Sequence, residues 1–134
     1  MNAKKLEQWK KKQAQTPDGW KFSPDCYGED TIKKWLPVND KEAIQCNIYF
    51  VKEFDRATFR YTGESLIKIN VSLYTLSSSG TWVGYGLGRK YTSGEKYQRQ
   101  AFKHLVEVAK TIEEGDLLKE YNQHKAQLLN AVII

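Results

Sequence analysis

Arg89 and Lys90 stand together, and Lys96, Arg99 and Lys103 follow them at intervals of three and four residues. On a helix those intervals bring side chains onto one face, so the last three would form a cationic stripe along which a phosphate chain can run. Upstream are Lys68, Tyr74 and Trp82, and after Trp82 come Gly84, Gly86 and Gly88 at alternate positions. A site for single-stranded nucleic acid needs both kinds of side chain, since rings stack on bases and cations follow the phosphates. Alternate glycines cost a strand stability, and close approach of something to its backbone is the usual compensation. Two occupants fit that space: a neighbouring part of the protein, or a base and sugar-phosphate lying beside Trp82 and Tyr74. Lys68, Tyr74, Trp82, Arg89, Lys90, Lys96, Arg99 and Lys103 are therefore candidate nucleic-acid-binding residues. A solvated helix face is the plain alternative for the same charges.

The rest of the chain offers little other chemistry. It has no phosphate-binding loop, nucleophile elbow or histidine pair at metal spacing, and no carboxylate cluster suited to two metals. Cys26 and Cys46 stand twenty positions apart without further ligands, so two reduced thiols are expected rather than a zinc site or a disulfide. His104 and His124 fall on expected helices with no base or nucleophile pattern nearby. These absences imply no catalytic residue, no metal and no cofactor, and a protein that is not an enzyme.

Net charge over the 134 residues is +5, which favours polyanionic partners. The excess is concentrated. Lys4, Lys5, Lys10, Lys11 and Lys12 are opposed by Glu7 alone, and Arg89 to Lys110 carries six basic residues against Glu95 and Glu107. No apolar run approaches the ~18 residues of a membrane span, and no apolar stretch or small-residue cleavage site follows the basic N-terminus. A soluble cytoplasmic protein of one domain is expected.

The elements that must position these residues follow from hydrophobic period. Residues 3–15 read as a lysine-rich helix with Leu6 and Trp9 on a narrow stripe, ended by Pro17-Asp18-Gly19. Trp20 and Phe22 alternate as a brief strand, and Asp30 to Leu36 reads as a short helix stopped before Pro37. Ile44, Cys46, Ile48 and Phe50 then alternate with polar residues, as do Ile67, Ile69, Val71 and Leu73 with Lys68, Asn70, Ser72 and Tyr74. A third strand, Trp82 to Gly88, puts Val83, Tyr85 and Leu87 toward the core. Thr92-Ser93-Gly94-Glu95 has the form of a capping box and predicts a helix carrying Tyr97, Ala101, Leu105, Val108 and Ile112 on one stripe and ending near Gly115. A further helix opens at Asp116. Its apolar end, Ala131 to Ile134, either completes the core or packs on a partner subunit. The expected architecture is α+β: a three-stranded antiparallel sheet covered on one face by a C-terminal helix, with helical N- and C-terminal additions. Within the single domain, residues 1–42 form the basic N-terminal part, 43–115 the β-β-β-α core and 116–134 the last helix.

The run from Leu66 to Leu76, then Val83-Gly84-Tyr85-Gly86, then Ser93 through Glu95-Lys96 to Ala101, resembles the sheet-to-helix core of the single-strand annealing recombination proteins. The resemblance covers residues 66–112. It implies a helix across a three-stranded antiparallel sheet, homo-oligomeric rings, and single-stranded DNA in a basic groove, with Lys96 and Arg99 at basic helix positions. Glu107-Val108 stands where that family tends to carry a Lys-Arg pair. Single-stranded DNA binding or annealing in recombination or repair is the expected function. Two alternatives stay open: a double-stranded RNA-binding-like module, which shares the α-β-β-β-α order, and a small protein-binding inhibitor or adaptor of a nucleic-acid enzyme.

Overall fold

The computed structural model describes residues 2–25, 27–91 and 95–133, without the side chains of residues 87–91 and 127–133. In chain order the elements are α1 (Ala3–Gln15), β1 (Trp20–Phe22), β2 (Thr31–Pro37), β3 (Glu42–Asp55), β4 (Arg60–Leu76), β5 (Trp82–Tyr91), α2 (Phe102–Thr111) and α3 (Glu114–Ile133). Each strand pairs antiparallel with the next, so the sheet is a five-stranded meander in the order β1-β2-β3-β4-β5.

The α+β class holds, but the expected three-stranded sheet is corrected to one of five strands. The difference comes from Thr31–Pro37, which is a strand and not a short helix. A helix of that length pays the full cost of nucleation for few hydrogen bonds, whereas the long β3 offers an unpaired edge. Pairing Ile32 with Ile48 and Leu36 with Ile44 puts both side chains on the buried face. β1 then adds outside β2, with Phe22 opposite Ile32, and buries Trp20 and Phe22.

The core lies between that face of the sheet and the helices. Ile32, Ile44, Cys46, Ile48 and Ile67 are fully buried, and α2 meets them with Phe102, Leu105, Val106 and Ala109. Phe22 and Phe102 touch edge to face at 5.6 Å. α1 buries no residue completely and rests on the β1 side through a partly buried Trp9. α3 contributes Leu117 and is tied to the start of β3 by Glu42, whose carboxylate meets Lys125 Nζ at 2.8 Å and accepts the Tyr121 hydroxyl at 3.2 Å. The Lys125 hydrogen bond holds the Glu42 carboxyl below its usual range. Lys125 is pushed up by the same bond, and burial pushes Tyr121 up.

The start of α2 also differs from expectation. Thr92, Ser93 and Gly94 of the capping box lie outside the described residues, while residues 95–101 are not helical. Tyr97 is held in an extended link, since its N–H and carbonyl both bond to Ser65 at 2.8 Å. α2 begins five residues after Tyr97, with Ala101 at the N-cap and no side-chain cap. Gly115 sits in the first turn of α3 rather than ending α2. Val83 and Tyr85 do point to the helix side, opposite Thr75 and Leu73, yet they remain 42% and 54% exposed because α2 packs over β2 and β3 instead. Leu87's side chain and the apolar end Ala131 to Ile134 lie outside the described side chains.

Candidate nucleic-acid interface

Because α2 and α3 bury their apolar residues against the same sheet surface as Ile44 and Ile48, the other surface has no helix on it among the described residues. Strand alternation gives that open face Lys33 and Trp35 from β2, Ala43, Gln45, Asn47 and Tyr49 from β3, and Lys68, Asn70, Ser72 and Tyr74 from β4. Trp82, Gly84 and Gly86 of β5 continue it, through their pairing with Leu76, Tyr74 and Ser72.

At one end of this face three rings converge. Trp35 lies 5.2 Å from Tyr74 and 5.1 Å from Trp82, the second pair edge to face. The three come from β2, β4 and β5, so they meet by leaning over β3, where Ala43 is fully buried between Pro37 and Tyr74. A larger residue at 43 would hold the rings apart. Trp35 and Trp82 keep 40% and 38% of their surface exposed, so the cluster is packed underneath and open above.

The glycines divide into two uses. A Cβ at Gly84 would lie 2.9 Å from Tyr74 Cζ, so the Tyr74 ring lies directly on the Gly84 backbone. That close approach is the compensation for Gly84. Gly86 has open space where a side chain would stand, beside the cluster and across from Ser72. A flat strip therefore exists at Gly86, while at Gly84 the protein's own tyrosine fills it.

The candidate residues do not form one surface. Tyr74, Trp82 and Lys68 share the open face, with Lys68 half-buried. Arg89 occupies a β5 position opposite Asn70, in the open-face register, and Lys90 one opposite Ile69, in the helix-side register; their side chains are outside the description. Lys96 lies in the extended link, 3.1 Å from the Glu53 carboxylate, and that hydrogen bond raises its pKa. Arg99 is exposed in the same link, and Lys103 is exposed on α2, the helix side of the sheet. The predicted cationic stripe Lys96–Arg99–Lys103 is thus not a helical face.

Trp35 is the functional candidate that sequence reasoning misses, because it fell in a segment read as helical. Its signal was Ile32, Lys34 and Leu36 alternating with Lys33 and Trp35 just ahead of the Asn39-Asp40 turn. Lys33 is missed for the same reason. Another exposed aromatic group, Phe54 with Phe59 and Tyr61, sits at the tip of the β3–β4 hairpin. Among the described residues no group of His, Cys, Asp and Glu could hold a metal ion, and no helix is long and apolar enough to cross a membrane. No protein family, curated protein or solved structure gives a significant match to this chain.

Proposed function

We propose that this protein binds single-stranded nucleic acid, DNA foremost, across the open face of its sheet. One observation carries the reading: Trp35, Tyr74 and Trp82 form a half-exposed cluster on a sheet face that no described helix covers. Rings held from below and open above are stacking platforms that accept any base, because every base has a π face. Around them Lys33 and Lys68 supply positive charge, Gln45, Asn47, Asn70 and Ser72 supply donors and acceptors for base edges, and Gly86 admits a sugar-phosphate close to the backbone. Arg89 holds an open-face register position on the same side.

The resemblance to single-strand annealing proteins loses its helix start, since Lys96 and Arg99 precede α2; its strand part, Leu66 to Leu76 with Val83 to Gly86, still favours DNA, and annealing of complementary strands in recombination or repair is the activity to assay. The duplex-RNA reading relied on a basic helix entry. With Lys96 and Arg99 ahead of α2 rather than in it, that support is lost.

The test is fluorescence anisotropy with a labelled oligothymidylate, a duplex RNA control and a salt titration. Binding to the single strand with a log–log salt slope of about −0.7 per phosphate contact is expected. Trp35→Ala and Trp82→Ala should each weaken it by about five- to a hundredfold, from ~1–3 kcal/mol per stacked base. No binding at low salt, or binding indifferent to both tryptophans, refutes the reading.

A further inference from the structure

The two edges of the sheet are treated differently. β1, at one edge, is three residues long, and the Trp20 N–H and carbonyl and the Phe22 N–H on its outer side have partners. Gln13 of α1 donates from Nε2 to the Trp20 carbonyl at 3.4 Å and accepts the Phe22 N–H on Oε1 at 2.8 Å, while the Trp20 N–H is bonded to the Pro17 carbonyl. The Gln13 amide thereby stands where the peptide group of a further strand would stand. β5, at the other edge, is ten residues long, and β4 is the only strand paired with it among the described residues. It contains no proline and no acidic residue, its basic residues are confined to Arg89 and Lys90, and Val83 and Tyr85 expose apolar surface. Edges in soluble proteins are ordinarily shortened, charged or covered. β1 is shortened and covered, whereas β5 is long and, although α3 touches it, keeps Val83 and Tyr85 exposed.

We propose that β5 pairs with β5 of a second copy of this chain, antiparallel about a two-fold axis at Gly84. The register to β4 is regular from Trp82 to Gly86 and shifts only beyond it, so this half presents an even row of backbone donors and acceptors. Pairing about Gly84 sets Val83 of each copy opposite Tyr85 of the other. These two, the most exposed of the apolar side chains described on the strand, would then cover one another as cross-strand pairs on the helix side. Arg89 and Lys90 fall outside the paired segment, so no like charges are opposed. Addition of β5 to β1 of another copy is blocked by Gln13, which excludes an open filament and leaves the closed, isologous dimer. A two-fold axis between antiparallel neighbours runs perpendicular to the sheet. Both open faces would therefore look the same way, with a Trp82 on each side of the seam, although the dimer does not depend on the nucleic-acid reading.

Sedimentation equilibrium of the full chain tests this. Wild type should sediment at twice the chain mass of 15.5 kDa. The V83K/Y85K and V83E/Y85E double variants, which oppose like charges across the seam, should each sediment at the chain mass. An equimolar mixture of the two should return to the dimer mass, because opposite charges then face each other. Recovery in the mixture also shows that both variants are folded. A wild-type monomer at all concentrations up to hundreds of micromolar overturns the proposal, as does a dimer that persists unchanged in both variants.

Discussion

The two faces of the sheet use their large side chains in opposite ways. On the covered face Ile44, Ile48 and Ile67 keep no exposed surface and belong to one core cluster with the apolar residues of α2. On the open face Trp35 and Trp82 are held in place by one another and by Tyr74, yet keep more than a third of their surface in water. Aromatic area of this size is normally buried for the ~25 cal/mol per Å² it contributes. Leaving it exposed on a scaffold that holds it still is expected of a surface that binds something flat. The contrast teaches that burial, more than residue type, separates the part of this protein that maintains the fold from the part proposed for recognition.

That contrast can be broken most forcefully from the covered side. Ile48→Ala removes methyl groups from a fully buried site and should cost about 2–5 kcal/mol, read as a fall in the urea midpoint. Trp82→Ala should do the reverse. The loss of one edge-to-face contact costs about 0.5–1.5 kcal/mol of stability, while oligonucleotide affinity drops by the factor given above; a large loss of stability with no loss of affinity would return Trp82 to the core.

Smaller effects sharpen the picture within the open face. Gly84→Ala places a methyl group against the Tyr74 ring and should cost about 1–3 kcal/mol, as overpacking does, with weaker binding as the cluster is displaced. Gly86→Ala meets open space and should gain about 0.5–1 kcal/mol. Equal effects at the two positions in thermal melts would contradict the division of the glycines. Lys96→Glu with Arg99→Glu should leave oligonucleotide affinity within about threefold of wild type, because Lys96 is engaged by Glu53 and neither residue belongs to the open-face strands; a loss as large as that at Trp82 would move the interface toward the link.

The smallest expected effect is a pH dependence on the covered side. Glu42 is depressed chiefly by the Lys125 hydrogen bond, so its contribution is present above the ordinary glutamate range and is lost as pH falls through its folded-state value. Lys125 is raised by Glu42, so its own contribution persists below the ordinary lysine range and is lost as pH rises through its folded-state value. The stability difference between wild type and Lys125→Met, measured by urea unfolding, should be largest near neutrality and shrink toward both extremes. A difference independent of pH would mean that Lys125 acts through its packing on Tyr121, over which its ammonium lies at 5.6 Å, rather than through charge.

Sequence by itself determined α1, β3 and β4, the buried series Ile44, Cys46, Ile48, Phe50, Ile67 and Val71, and the placement of Tyr74 and Trp82 away from the core. A strand long enough to show several repeats of its two-residue period states its own buried face. It did not determine β2, the true start of α2 or the meeting of Trp35 with Tyr74 and Trp82. Thr31–Pro37 is too short for local pattern to decide between helix and strand, and the free edge of β3 settled the matter by offering hydrogen bonds and a place for Ile32 and Leu36. The capping-box pattern was locally sound, but Tyr97 instead bonds Ser65 thirty-two residues away, a contact no window of sequence contains. Tertiary structure alone therefore decided that the tryptophan from a misread segment stands beside the two rings that pattern had already turned outward, because only strand pairing brings β2 and β5 within reach of one another across Ala43.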